Sequence, residues 1–143
     1  MNAVGIDVSK GKSTVVILRP FGEIVVSPYE VKHTDSEITA LIKKIKSIDG
    51  ETRIVMEHTG HYYEQLLISF AEAGLFATAV NPKLIKDFST NSLRKVKTDK
   101  ADSVKIARYA LDRWDELIPY TEIDGLRSQL KQLNRQFLFY TKN

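Results

Sequence analysis

The feature that most constrains this chain is a change of period near residue 34. Before it lie three short β-like runs, Ala3–Asp7, Thr14–Leu18 and Glu23–Val26, separated by the turn signals Lys10-Gly11-Lys12 and Pro20-Phe21-Gly22. Connections that short favour antiparallel hairpins. After it the pattern becomes helical. Thr34-Asp35-Ser36-Glu37 reads as a capping box, Ile38, Leu41, Ile42, Ile45 and Ile48 follow at helical spacing, and Asp49-Gly50 stops the helix. Arg53–Met56 is a short apolar strand leading to Glu57. A helix is expected over Tyr62–Ala73, with Leu66, Leu67 and Phe70 on one face, and a strand over Phe76–Val80, closed by Asn81-Pro82. A short helix over Lys83–Phe88, a polar basic loop over Ser89–Thr98 and a helix over Asp99–Arg113, capped by Thr98, complete the series.

The expected order is therefore β-β-β-α-β-α-β-α. Right-handed crossovers set the last two strands parallel to the first. This is the element order of the ribonuclease-H-like fold: an α/β architecture with a mixed five-stranded sheet flanked by helices, here over residues 1–118. Residues 119–143 read differently. Ile123, Leu126, Leu130, Leu133, Phe137 and Tyr140 are spaced 3, 4, 3, 4 and 3. An amphipathic helix lying on the domain competes with a coiled-coil helix, and the narrow apolar stripe fits the coiled coil better. A second copy would cover that stripe most simply, so self-association through 123–140 into a homodimer or higher oligomer is expected.

Composition narrows the function. The 143 residues suit one compact domain with a real core, and the absence of Cys removes disulfides, thiol nucleophiles and cysteine zinc sites. No apolar run approaches the roughly 20 residues of a membrane span. Asp7 stands where a signal peptide would carry its apolar stretch. A cytoplasmic protein without a membrane partner is expected. Charge is unevenly spread. Residues 83–113 hold nine basic and four acidic side chains, a balance of +5, whereas the other 12 basic and 14 acidic residues balance at −2. Such a block is the footprint of a polyanion, with Arg94, Lys95, Lys97, Lys100 and Lys105 as candidate nucleic-acid contacts; a solvated helix face competes with that reading.

Four carboxylates stand out by position. Asp7 ends the first strand and Glu57 the fourth, so parallel neighbouring strands would deliver both to one carboxyl edge, where open α/β sheets place ligands. Asp99 and Asp102 share a face at the start of a helix. Four converging acids need a cation, and an all-oxygen ligand set suits Mg²⁺ or Mn²⁺. Two such ions can activate an attacking oxygen and stabilise a leaving one at a phosphodiester. Asp99 alone is equally explained by the helix dipole. Two other patterns carry less. Gly5 and Gly11-Lys12-Ser13 fail as a phosphate loop because five residues intervene where four are required and a strand follows. His58 and His61 have no third soft ligand nearby and are expected on the loop beside Glu57, in reach of nucleic acid.

Gly5-Ile6-Asp7-Val8-Ser9-Lys10, Glu57-His58-Thr59-Gly60, Asn81-Pro82 and Lys97-Thr98-Asp99-Lys100-Ala101-Asp102, in this order, resemble the signature of the DEDD insertion-sequence transposases, which also include the pilin-gene invertase Piv. The resemblance implies a RuvC-like domain with Asp7, Glu57, Asp99 and Asp102 as catalytic metal ligands for Mg²⁺ or Mn²⁺. It implies a transposase or recombinase acting on DNA, guided by a structured RNA. It also implies a coiled coil leading to a later domain with a catalytic serine, so this chain is expected to be an incomplete enzyme. A free-standing RuvC-like junction resolvase or nuclease, or a nucleic-acid-binding module with idle acids, remains in competition. A sugar kinase or actin-like ATPase would need a second half-domain.

Overall fold

In the computed structural model, residues 1–90 and 99–121 are described, without the side chains of 89, 90 and 99–101. The basic residues Arg94, Lys95 and Lys97 and the seam 123–140 lie outside the described residues, as do the side chains of Asp99 and Lys100.

The chain forms β1 (Asn2–Val8), β2 (Lys12–Arg19), β3 (Glu23–Lys32), α1 (Asp35–Lys46), β4 (Thr52–Glu57), α2 (Tyr63–Glu72), β5 (Phe76–Val80), α3 (Pro82–Thr90) and α4 (Asp99–Asp112). The sheet order is β3-β2-β1-β4-β5, with β1–β2 and β2–β3 antiparallel and β1–β4 and β4–β5 parallel. This is the expected mixed sheet.

Side-chain alternation splits the core in two. Val4, Ile6, Ile54 and Met56 pack with Leu41 and Ile45 of α1 and Leu66, Leu67 and Phe70 of α2. Ala3, Val16, Leu18 and Val55 pack on the opposite face with Ile85 of α3 and Ile106, Ala107 and Ala110 of α4. Helices thus cover both faces, which explains why β1 and β4 are apolar throughout rather than alternating.

Local signals act as expected at most boundaries. The Thr34 hydroxyl accepts the Glu37 N–H at 3.4 Å, and the Glu37 carboxylate reaches back to the Lys32 N–H at 3.1 Å. The Asn81 side chain accepts the Lys83 N–H at 2.9 Å, with Pro82 as the first residue of α3. The third strand corrects the expected end at Val26: it runs on to Lys32. Val15 pairs with Tyr29 and Ile17 with Val26, so two residues of β2 span three of β3. The extra residue is a bulge at Ser27-Pro28, and an edge strand tolerates the missing proline donor.

Candidate catalytic site at the carboxyl edge of the sheet

β1 and β4 pair in register from Asn2↔Thr52 to Ile6↔Met56. The next step of that ladder sets Asp7 beside Glu57. Both residues lie on the α4 face, because Asp7 follows Ala3 and Gly5 at two-residue spacing and Glu57 follows Val55. Both side chains are half-buried.

α4 supplies the third acid, and Gly5 decides where. A Cβ at Gly5 would collide with the Ser103 carbonyl oxygen and stand 2.6 Å from the Ala107 backbone nitrogen. The helix therefore rests directly on the strand backbone at a point where only glycine fits. Its direction follows from its two ends. Asp102 acts electrostatically on Glu57 at the carboxyl end of β4, whereas the Trp114 carbonyl beyond the other end accepts from the Arg53 guanidinium near the amino end of β4. α4 thus runs antiparallel to β1 and β4 and aims its N-terminus, with its partial positive charge, at the acids.

Electrostatics report the crowding. Burial pushes the Glu57 carboxyl above its ordinary value of 4.5, and the Asp102 carboxylate pushes it further; His58 and Lys105 pull it back. Asp102 and Lys105 share a helix face at i, i+3. The cation nearest the acids in this accounting is thus a lysine of the basic window. Hydrogen-bonded to Val80 through its backbone N–H at 3.0 Å, His58 holds the loop after β4 against β5, and its ring lies 6.2 Å from that of Tyr63.

Of the expected site residues, Asp7, Glu57, Asp102 and Lys105 come to one edge, and Asp99 is the first residue of α4. Among the described residues, no three His, Cys, Asp or Glu side chains stand close enough to hold a metal ion, and the Asp99 side chain is not among them. The donors that do meet are carboxylate oxygens, which fit a hard divalent cation and leave mutual repulsion for that cation to relieve. Gly5 was not anticipated as a positioning residue. The available signal was the small-residue spacing Ala3, Gly5 on the face opposite Val4 and Ile6.

Comparison with known proteins places this arrangement. Residues 4–142 match the family model of the DEDD transposases of the IS110 type, described as transposase. The transposase for insertion sequence element IS1533 of Leptospira borgpetersenii is 28% identical over 134 residues, which span 90% of this chain and 37% of that protein. This chain thus covers little more than a third of that relative's length. Two structures of Thermus thermophilus RuvC, one in complex with a Holliday junction substrate, superpose with TM-scores of 0.60 and 0.58 at 13% and 14% identity. Each superposition covers 81% of this chain and 96% of the RuvC chain. The fold is RuvC-like, and the chain belongs to the family of DEDD transposases.

Proposed function

We propose that this domain is the metal-binding half of a DNA transposase, and that Asp7, Glu57, Asp99 and Asp102 hold one or two Mg²⁺ or Mn²⁺ ions at a DNA phosphodiester. The observation that carries the reading is the meeting of Glu57 and Asp102 across the β4–α4 contact, with Asp7 on the neighbouring strand end. Carboxylates held this close favour a site for a divalent cation. Bound there, the ion supplies Lewis-acid polarisation and lowers the pKa of an attacking oxygen. The protein's own part is positional. β1 and β4 fix two acids in register, Gly5 lets α4 sit low enough to bring a third, and the helix N-terminus favours negative charge. Lys105 is placed to balance the acids and to meet a phosphate, together with Arg94, Lys95, Lys97 and Lys100 of the basic window.

Family membership supports DNA rearrangement as the reaction and a structured guide RNA as a partner. It also supports a domain organisation in which 1–118 is the RuvC-like unit, 119–143 opens a coiled coil that pairs copies, and a nucleophilic serine lies in a further domain. With no Cys in the 143 residues, a covalent protein–DNA linkage has no thiol to form on.

The test has two arms. Titration calorimetry with Mg²⁺ or Mn²⁺ should show binding that Asp7→Asn abolishes, and charge reversal at Lys105 should weaken nucleic-acid affinity and flatten its salt dependence. Equal metal binding by wild type and Asp7→Asn would refute the site. Efficient junction cleavage by this chain alone would favour the free-standing nuclease instead.

A further inference from the structure

The tip of the β2–β3 hairpin carries the least ordinary residue of the described chain. Phe21 adopts φ 65°, ψ 26°, the left-handed region, and is the one residue other than glycine with positive φ among those described. An L-phenylalanine there is strained, whereas hairpin turns usually give such positions to Asn, Asp or Gly. The ring it holds up is fully exposed, at 107% of the reference area. Neighbouring Ile24 on edge strand β3 is 60% exposed. A strained backbone that presents an aromatic ring to water is a cost without a return inside this domain.

Directly beside it runs a groove of about 470 Å³ between the hairpin and α4. Phe21 and Ile24 form one rim, and Pro28, Phe88, Val104 and Leu111 line the rest with apolar surface. Knob and groove thus share one patch, which is the requirement for a two-fold contact in which each copy inserts into the other. Charge agrees with a second copy as occupant. Arg19, Arg108, Glu23 and Asp112 ring the patch, with Arg19 and Glu23 paired at 3.4 Å. Two cations and two anions sum to zero, so the patch offers a polyanion no net attraction. A two-fold packing of α4 on its mate sets Arg108 of one copy toward Asp112 of the other, twice.

We propose that this face is a homodimer interface in which the Phe21 ring of each copy enters the groove between the hairpin and α4 of the other. The contact lies on the β3 side of the sheet, whereas the chain leaves the described residues at the β5 side, where the Tyr120 N–H bonds the Ala77 carbonyl at 2.7 Å. It is therefore separate from any pairing through 123–140. It also places α4, which carries Asp102, against the partner.

The chain has no Cys, so single cysteines report contacts cleanly. Phe21→Cys chain mixed with Leu111→Cys chain should form a disulfide-linked heterodimer on mild oxidation, and Ser47→Cys in place of either should not. Phe21→Gly should raise the dissociation constant of this interface by about a hundredfold, about tenfold for each ring withdrawn. The same substitution should leave the melting temperature of the dilute protein unchanged or higher, since glycine accepts this φ freely. That pair of results separates lost docking from lost folding. Cross-linking no greater than the Ser47→Cys control, or self-association indifferent to Phe21→Gly, would overturn the proposal. Either result is also what a ring folding into its own groove, or a groove reserved for a different protein, would give.

Discussion

The two ends of the central strands are built on opposite principles. At the amino edge the polar groups are matched. The Arg53 guanidinium lies between the Phe76 and Trp114 rings, at 4.4 and 4.6 Å from their centroids, donates to the Trp114 carbonyl and pairs with Glu51 at 3.1 Å. Buried Asn2 donates to the Asp49 carbonyl and the Thr52 hydroxyl and accepts from Arg19 at 2.8 Å. At the carboxyl edge like charges meet, and the Glu57 carboxyl is pushed up by burial and by Asp102. The same β1, β4 and α4 run through both ends. The difference teaches that the stability needed to hold acids together is supplied at the far end of the elements that carry them.

The largest break in this arrangement should come from Gly5→Ala, because it acts on the element both ends share. The added methyl meets backbone on α4 and cannot be relieved by a side-chain rotation. A loss of about 3 kcal/mol is expected from overpacking, read by urea unfolding, together with weakened divalent-cation binding as Asp102 is displaced. Arg53→Ala should cost less, about 2 kcal/mol, from two lost cation–π contacts and a buried hydrogen bond. It should leave divalent-cation affinity of the folded protein unchanged, since the acids lie at the other end. A large drop in metal binding there would show that the two ends are not separable.

The smallest effect concerns His33, at the carboxyl end of β3 on the α1 side. Its Nε2 lies 2.7 Å from the Ser13 hydroxyl, and burial holds its pKa below the ordinary 6.5. A depressed histidine contributes stability above the unfolded pKa and loses it as pH falls through the folded value. The urea midpoint should therefore fall modestly below about pH 6.5 in wild type, and His33→Gln should flatten that portion of the profile. A midpoint that rises on acidification would reverse the sign.

How much of this was legible in the sequence depended on range. Local period and turn chemistry revealed the five strands and four helices, because hairpin turns, the Thr34 cap and the Asn81-Pro82 start act within a few residues. The full length of β3 was hidden because Ser27-Pro28 interrupts its alternation, and only pairing with β2 shows that the strand resumes. Asp7 and Glu57 could be placed at one edge from strand order alone. The seating of α4 on Gly5 and the enclosure of Arg53 by Phe76 and Trp114 join segments far apart in the chain. No spacing rule reports such contacts, so the depth of the Asp102 approach could be seen only in the folded protein.

The central claim is that the carboxyl edge is a cation site whose acids oppose the fold until a cation arrives. A carboxyl raised on folding contributes stability below its ordinary value of 4.5 and loses it as pH rises through the folded value, so at pH 7 charged Glu57 works against the native state. The most direct measurement is thermal unfolding of wild type and Glu57→Gln at pH 7, with and without millimolar Mg²⁺. Without the ion the variant should melt a few degrees higher than wild type. With it, wild type should gain stability by mass action while the variant gains little, so the gap narrows or reverses. Equal Mg²⁺ responses in the two proteins, or a Glu57→Gln variant that melts lower without the ion, would contradict the account.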